Sequence, residues 1–252
     1  LLVTRLNRSH FHMNTGKPQL LIVHGALGSK GQMTALADAL SHSFEVFVFD
    51  LLGHGGTEVP ALFSITDFAT YTLEWMDRKG LSKPDILGYS MGGYIALKMA
   101  MDHPESVRRI VTLGTKFLWN PESAEKEVRM MNPDLIEQKI PAFAETLRER
   151  HQPQDWKHIM RITGEMMIRM GHGEAIQDDA FSTIVTPVLV CIGSEDHMVT
   201  LEESRHTAEL LPQGRLRVME GFRHPVERMD NEVMAAVCTD FFINSSIRDQ
   251  NQ

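Results

Sequence analysis

The sequence has 252 residues, of which 42% are hydrophobic, so it is long enough for one large α/β domain with a buried core and an inserted lobe. Its formal net charge is −8, from 25 Lys and Arg against 33 Asp and Glu. Because phosphate binding needs clustered cations, this balance argues against nucleic acid or an anionic membrane surface as the main partner. An acidic balance of this kind is ordinary for a cytoplasmic protein, and the cytoplasm is the expected location.

The two cysteines, Cys191 and Cys238, lie in apolar patterns, which predicts two buried thiols and not a disulfide framework. No apolar run reaches the roughly 18 residues that a membrane-spanning helix needs, so membrane insertion is not expected. The first ten residues lack the long apolar stretch of a signal peptide, but the chain does not begin with Met, which leaves a trimmed leader as an alternative. The pair His10 and His12 has no third ligand nearby, and no metal or cofactor is predicted.

Short apolar runs alternate with helical periodicity along most of the chain, which predicts a parallel sheet covered by helices on both faces. Two polar, alternating segments precede the first core strand and predict an antiparallel edge, namely Val3–Asn7 and His10–Asn14. The predicted core strands are Leu20–His24, Phe44–Asp50, Asp85–Gly88, Arg109–Leu113, Pro187–Gly193 and Leu216–Glu220. The clearest predicted helices are Gln32–Leu40, Ile65–Lys79, Met91–Met101, Leu201–Leu211 and Glu232–Asn244.

The segment 117–181 interrupts this alternation and contains no good strand. Apolar residues recur there at helical spacing in two places. The first series is Ile136, Ile140, Phe143 and Leu147, and the second is Trp156, Ile159, Met160, Thr163, Met166, Met167 and Met170. We therefore predict that 1–116 and 182–252 form the core, and that 117–181 forms a helical cap inserted between two strands.

The strongest motif is the G-x-S-x-G pattern of Gly88, Ser90 and Gly92, which an apolar strand precedes and a helical run follows. A serine exposed on such a sharp turn has a strained backbone, and the strand and helix pass close beside it. Side chains two residues before and after the serine would clash there, which explains glycine at both positions. The pattern predicts Ser90 as a nucleophile.

A serine hydroxyl needs a base to act as a nucleophile at neutral pH, and the base needs an acid that orients it. Asp196 follows one predicted strand and His224 follows the next, so both should project at the carboxyl edge of the sheet, where sites in open α/β sheets form. The predicted catalytic set is therefore Ser90, Asp196 and His224. The backbone N–H groups of Met91 and Ala26 are the predicted oxyanion hole.

Five segments together resemble the motifs of the α/β-hydrolase superfamily, in the same order. They are His24-Gly25, Asp50–Gly56, Gly88–Gly93, Gly193–Asp196 and Phe222–Pro225. The resemblance implies an eight-stranded, mostly parallel sheet with a helical cap over the site. Because the residue at the turn is serine, the chain resembles the branch of the superfamily that uses a serine nucleophile. The sequence departs from the family pattern at Arg223, where a small residue or glycine is common, so this side chain could crowd the loop or reach the pocket.

The predicted function is hydrolysis of a small ester-type substrate, a carboxylic ester or thioester, through an acyl-enzyme on Ser90. Apolar side chains at Tyr89, Phe117, Trp119 and Phe143 predict a medium-sized acyl or aryl pocket. One alternative is a carbon–carbon bond hydrolase or a lyase similar to the menaquinone-pathway enzyme, although Tyr94 stands where that group has Arg. Another alternative is a ligand-sensing protein with little turnover. The natural substrate and the oligomeric state are not readable from the sequence.

Overall fold

The computed structural model describes residues 16–244, and its six strands form one parallel sheet in the spatial order β2-β1-β3-β4-β5-β6. The strands are β1 (Gln19–Val23), β2 (Glu45–Val48), β3 (Asp85–Tyr89), β4 (Ile110–Leu113), β5 (Val188–Gly193) and β6 (Gly214–Met219). All six correspond to predicted strands. The predicted antiparallel edge, Val3–Asn7 and His10–Asn14, lies outside the described residues, so the implied count of eight strands stays a prediction.

The inner strands β1, β3 and β4 are buried at every position except Gln19, because helices cover both faces of the sheet. Leu20 and Ile22 of β1 point to one layer of the core, while Leu21 and Val23 point to the other. Since all six strands are parallel, their carboxyl ends lie along one edge. That edge carries the loops in which the candidate site residues stand.

Ten α-helices are described between residues 16 and 244. They are α1 (Thr34–Leu40), α2 (Ile65–Lys79), α3 (Met91–Asp102), α4 (Pro121–Arg129), α5 (Pro133–Lys139), α6 (Pro141–His151), α7 (Trp156–Arg169), α8 (Asp178–Phe181), α9 (Leu201–Leu210) and α10 (Asn231–Thr239). Helices α1 and α10 pack on one face of the sheet, and α2, α3 and α9 contribute to the core on the other face. Within the described part of the chain, no helix has the length and apolar character that a membrane crossing requires.

Helices α4 to α8 lie between β4 and β5, in the segment predicted as a helical insertion. One difference concerns the apolar series from Ile136 to Leu147, which is divided between two helices. Helix α5 ends at Lys139 and α6 begins at Pro141, because the proline ring disfavours helical geometry at the preceding residue, Ile140 (φ −136°, ψ 60°). The break changes which side chains of α6 face the interior.

Two helices differ from the prediction at one end, where the helix type changes. The helix expected over Gln32–Leu40 begins with a 3-10 turn, Lys30–Met33, and becomes α-helical only at Thr34. The helix expected over Glu232–Asn244 is α-helical to Thr239 and then widens into a π-helical turn. Helices α1 and α10 pack against each other on one face of the sheet.

Candidate active site

Ser90 occupies a sharp turn between β3 and α3, with φ 52° and ψ −121°, a conformation that costs a non-glycine residue free energy. The turn is held by its neighbours: the Ser90 N–H donates to the Leu113 carbonyl (2.8 Å), and the Thr115 hydroxyl donates to the Ser90 carbonyl (2.9 Å). A Cβ atom on Gly88 would collide with the backbone of α3, and one on Gly92 would collide with the end of β1. The glycines two residues before and after Ser90 thus have the steric role that the motif predicts.

A chain of hydrogen bonds joins three side chains at the carboxyl edge of the sheet. Ser90 Oγ lies 3.2 Å from His224 Nε2, and His224 Nδ1 lies 3.0 Å from Asp196 Oδ2. The ionised carboxylate can only accept, so the network assigns the ring proton to Nδ1 and leaves Nε2 free to accept the serine proton. This arrangement can convert the Ser90 hydroxyl into a nucleophile.

Asp196 is oriented by two backbone groups as well as by the histidine. Its Oδ1 accepts hydrogen bonds from the N–H groups of Met198 (2.8 Å) and Val199 (3.0 Å), while Oδ2 faces His224. Burial alone would raise the pKa of Asp196, but the interaction with His224 and the two N–H donors together bring that pKa below its ordinary value. The carboxylate therefore stays ionised and fixes the tautomer of the imidazole.

Two backbone N–H groups next to Ser90 have no acceptor within residues 16–244. Met91 is the first residue of α3, where helix geometry leaves the N–H unpaired, and Ala26 lies in the loop after β1. Both residues line the cavity that Ser90 and His224 also line. Their N–H groups are therefore available to an acceptor in the cavity, and their role as an oxyanion hole stays a prediction.

The cavity encloses about 510 Å³, including open space at its mouth, and most of its wall is apolar. Three methionines of the predicted stripe, Met166, Met167 and Met170, come from the cap, and Trp119 lines it as predicted. Methionine adapts to irregular apolar surfaces, which suits a wall built by two parts of the fold.

The other three predicted pocket residues do not line this cavity, and the expectation for them is corrected. Tyr89 is buried, and its hydroxyl donates to the His224 carbonyl (2.6 Å), so it holds the histidine loop. Phe117 packs in the core edge-on against Phe181. Phe143 is 41% exposed, because the helix break before Pro141 turns it to solvent. A buried tyrosine needs a partner for its hydroxyl, and this was the signal that could have revealed the role of Tyr89.

Arg223, which departs from the family pattern, neither crowds the loop nor reaches the cavity. Its Nε donates to Glu195 Oε2 at 2.7 Å, and both side chains are about half exposed. Glu195 therefore points away from Asp196 and is paired at the surface.

Sequence reasoning missed a group of three buried histidines beneath the Ala26 loop. His24, His54 and His151 lie with neighbouring ring centroids 5.5 to 5.7 Å apart. Burial lowers the pKa of His24 and of His151 to about 4, and burial with the neighbouring His24 lowers that of His54. In the part of the chain with coordinates, no set of three His, Cys, Asp or Glu side chains is placed to hold a metal ion. His24 accepts a hydrogen bond from the Leu51 N–H, and His151 donates one to the Leu27 carbonyl.

The cap contacts the loop of the candidate oxyanion hole directly. Arg150 Nη1 donates to the Leu27 carbonyl at 2.8 Å, and His151 Nε2 donates to the same oxygen at 3.2 Å. Leu27 has φ 56°, which is rare for a residue with a branched side chain and needs support from its surroundings. Helix α6 therefore supports the residue that follows Ala26.

Sequence reasoning also missed two charged side chains on the cavity wall, Lys116 and Glu127. Lys116 follows β4 and Glu127 lies on α4, so the pair joins core and cap. A charged residue in a cap helix looks like an ordinary surface residue in the sequence, and no local pattern distinguishes it.

The chain belongs to the α/β-hydrolase family: a family model described as "alpha/beta hydrolase fold" matches residues 18–155. The prediction of this fold is thus confirmed. A solved structure described as a hydrolase from Pseudomonas aeruginosa superposes with a TM-score of 0.74 at 18% identity, and the match covers 91% of each chain. That likeness supports the fold alone.

Two curated relatives differ in how much of their length is matched. Lipase 3 of a Moraxella species is 28% identical over 232 residues, which are 83% of this chain and 72% of that protein. The 1-acylglycerol-3-phosphate O-acyltransferase of Arabidopsis thaliana is 34% identical over 116 residues, which are 44% of this chain and only 28% of that protein. The chain thus spans less than a third of the acyltransferase.

Proposed function

We propose that this protein is a serine hydrolase that cleaves small ester-type substrates, carboxylic esters or thioesters, through an acyl-enzyme on Ser90. The observation that carries the proposal is the hydrogen-bonded series Ser90, His224 and Asp196, which opens onto an apolar cavity next to two unpaired N–H groups. The similarity to a lipase over most of both chains agrees with this class of substrate.

The first half-reaction forms the acyl-enzyme. Ser90 Oγ attacks the carbonyl carbon while its proton passes to His224 Nε2, and the carbonyl π electrons move to oxygen. The N–H groups of Ala26 and Met91 stabilise the resulting oxyanion, and ionised Asp196 stabilises the imidazolium. When the intermediate collapses, the bond to the alcohol or thiol breaks, and the leaving group takes the proton from His224.

The second half-reaction follows the same steps with water as the nucleophile. Water attacks the acyl carbon and gives a proton to His224, the bond to Ser90 Oγ breaks, and the proton returns to that oxygen. The products are a carboxylic acid and the free enzyme. Sulfur in place of the alcohol oxygen changes only the leaving group, so one site serves carboxylic esters and thioesters.

Steady-state hydrolysis of p-nitrophenyl esters of graded chain length tests the proposal. Ser90→Ala and His224→Ala should each lower kcat on the order of 10³-fold or more, because both remove the activated nucleophile. Ser182→Ala, an exposed serine that bonds only the Asp179 carbonyl nearby, is the matched control and should leave the rate unchanged. Near-normal turnover by Ser90→Ala would refute the proposal, as would a wild-type protein that binds these esters without hydrolysing them.

A further inference from the structure

Three polar groups on the wall of the cavity have unused hydrogen-bonding capacity. Lys116, Trp119 and Glu127 line the same cavity as Ser90. The indole N–H of Trp119 is buried and has no acceptor within residues 16–244. Buried polar groups in proteins are normally hydrogen-bonded, so an unsatisfied indole N–H beside a lysine and a glutamate on one cavity wall indicates that the cavity's occupant completes their hydrogen bonds.

The ammonium of Lys116 is held between carboxylates but is not hydrogen-bonded to them. Its Nζ lies 3.6 Å from Glu127 and 4.0 Å from Glu203, which are ion-pair distances beyond hydrogen-bond range. It also lies 5.8 Å from the centroid of the Trp119 ring, within reach of a cation–π attraction. Only 16% of the lysine side chain is exposed, so its three donors face a site with little bulk water.

The two carboxylates beside Lys116 differ in their other contacts. Glu203 is fully engaged: Oε1 accepts from the N–H groups of Phe117 and Leu118, and Oε2 accepts from the N–H and hydroxyl of Thr200. The side chain of Glu127 is only 7% exposed, but its carboxylate accepts no hydrogen bond from any residue in the described range. Glu203 therefore has a structural role, and Glu127 is an acceptor on the cavity wall.

The charge of this cluster selects among possible ligand groups. One ammonium and two carboxylates give a local net charge of about −1, so an added carboxylate would be repelled as well as desolvated. A neutral group that both accepts and donates can satisfy Lys116 or Trp119 with its lone pairs and Glu127 with its proton.

We propose that Lys116, Trp119 and Glu127 form a subsite that selects substrates carrying a neutral donor–acceptor group, a hydroxyl or carboxamide, away from the scissile bond. This inference rests on the proposed function and names the substrate class of the same cavity. Between this subsite and the pair Ser90 and His224 the wall is mostly apolar, so the polar group should stand at the end of an apolar segment.

The test compares p-nitrophenyl esters of equal chain length whose acyl groups end in methyl, hydroxyl or carboxylate. At the chain length that reaches the subsite, kcat/KM should be at least about fivefold higher for hydroxyl than for methyl, the effect of one net hydrogen bond, and lowest for carboxylate. If kcat/KM for the hydroxyl ester is no higher than for the methyl ester at every chain length, these side chains bind water and not substrate, and the proposal is overturned. A higher kcat/KM for the carboxylate ester than for the hydroxyl ester would contradict the inference that the selected group is neutral.

Variants identify the residues responsible. Glu127→Gln keeps the shape of the side chain and removes its charge, and Trp119→Phe keeps an aromatic ring and removes the N–H donor. Each should move the hydroxyl-to-methyl ratio of kcat/KM towards one. Glu125→Gln is the matched control, since Glu125 lies on the same helix α4, is exposed and pairs with Arg129. Retention of the full preference by both wall variants, or an equal loss in Glu125→Gln, would contradict the assignment.

A binding measurement separates this inference from the proposed function. Calorimetry on Ser90→Ala measures binding to the subsite without turnover, with methyl ketones whose chains end in hydroxyl or methyl as ligands. The ketone that ends in hydroxyl should bind at least about fivefold more tightly. If esters are hydrolysed through Ser90 but neither assay shows the preference, the subsite alone fails. If the ketones show the preference while no ester is hydrolysed, the proposed function alone fails.

Discussion

Ser90 keeps a strained backbone because hydrogen bonds to the Leu113 carbonyl and from the Thr115 hydroxyl hold the turn. The glycines on either side were predictable, since the clash that excludes larger residues depends only on the local path of strand, turn and helix. The role of Tyr89 was not predictable, because a side chain next to the turn can point into the cavity or beneath it. Only the position of the His224 loop decides between these two orientations.

The orientation of the imidazole provides a prediction at this scale. Asp196→Asn should lower kcat by about 10²- to 10⁴-fold with little change in KM, because a neutral amide no longer fixes the Nδ1–H tautomer or stabilises the imidazolium. Initial-rate kinetics on a short ester measures the effect. Glu195→Gln, next in sequence but paired with Arg223 at the surface, should behave as wild type. Equal losses in the two variants would show that the loop, and not the carboxylate at 196, matters.

At the scale of elements, the inserted helices α4 to α8 include one that contacts the loop after β1. The end of α6 holds the Leu27 carbonyl through Arg150 and His151, 123 and 124 residues away in sequence. Such contacts depend on where an inserted helix comes to rest, and no local pattern in the sequence encodes that. The same reason explains Phe143, whose apolar spacing predicted an inward position until the proline break turned it outward.

The contact between cap and loop should affect turnover more than substrate binding. Arg150→Ala removes the shorter of the two hydrogen bonds to Leu27, which loosens the adjacent Ala26 N–H, and we expect kcat to fall about tenfold with a smaller change in KM. Arg150→Lys should recover part of the loss. Arg148→Ala, on the same helix with exposed partners, is the control. A change in KM alone would indicate that Arg150 contacts substrate and does not position the loop.

For the whole molecule, the six strand segments and the family motifs were predictable because each depends on a short stretch of sequence. The cavity was predictable only in part: its apolar character followed from the methionine stripe, but its charged wall forms where β4 meets α4. Core and cap therefore have to be considered together when substrate choice is explained.

The buried histidines predict how stability depends on pH. Their folded pKa values lie below the ordinary value of 6.5, so the unfolded chain binds protons more readily, and stability should fall as pH drops from about 6.5 towards 4, by a few kcal/mol at most for each ring. Asp85 acts in the opposite direction, because burial raises its pKa to about 6, but it is one group against three.

Urea denaturation between pH 4 and 7.5 measures this slope. His151→Gln keeps a donor and an acceptor but cannot be protonated, and it should flatten the loss of stability at low pH. His206→Gln, an exposed histidine beside Asp178, should keep the wild-type slope. Stability that is constant or increases as pH falls from 6.5 to 4 would contradict the account of these three rings.

The most direct test of the central claim is to label the protein with a fluorophosphonate and map the modified residue by mass spectrometry of peptides. A serine activated by His224 and Asp196 should react once per chain, and the mass increase should lie on Ser90. His224→Ala should label far more slowly, and Ser90→Ala should not label. Absence of labelling in the wild-type protein, or labelling at another residue, would contradict the assignment of Ser90 as the nucleophile.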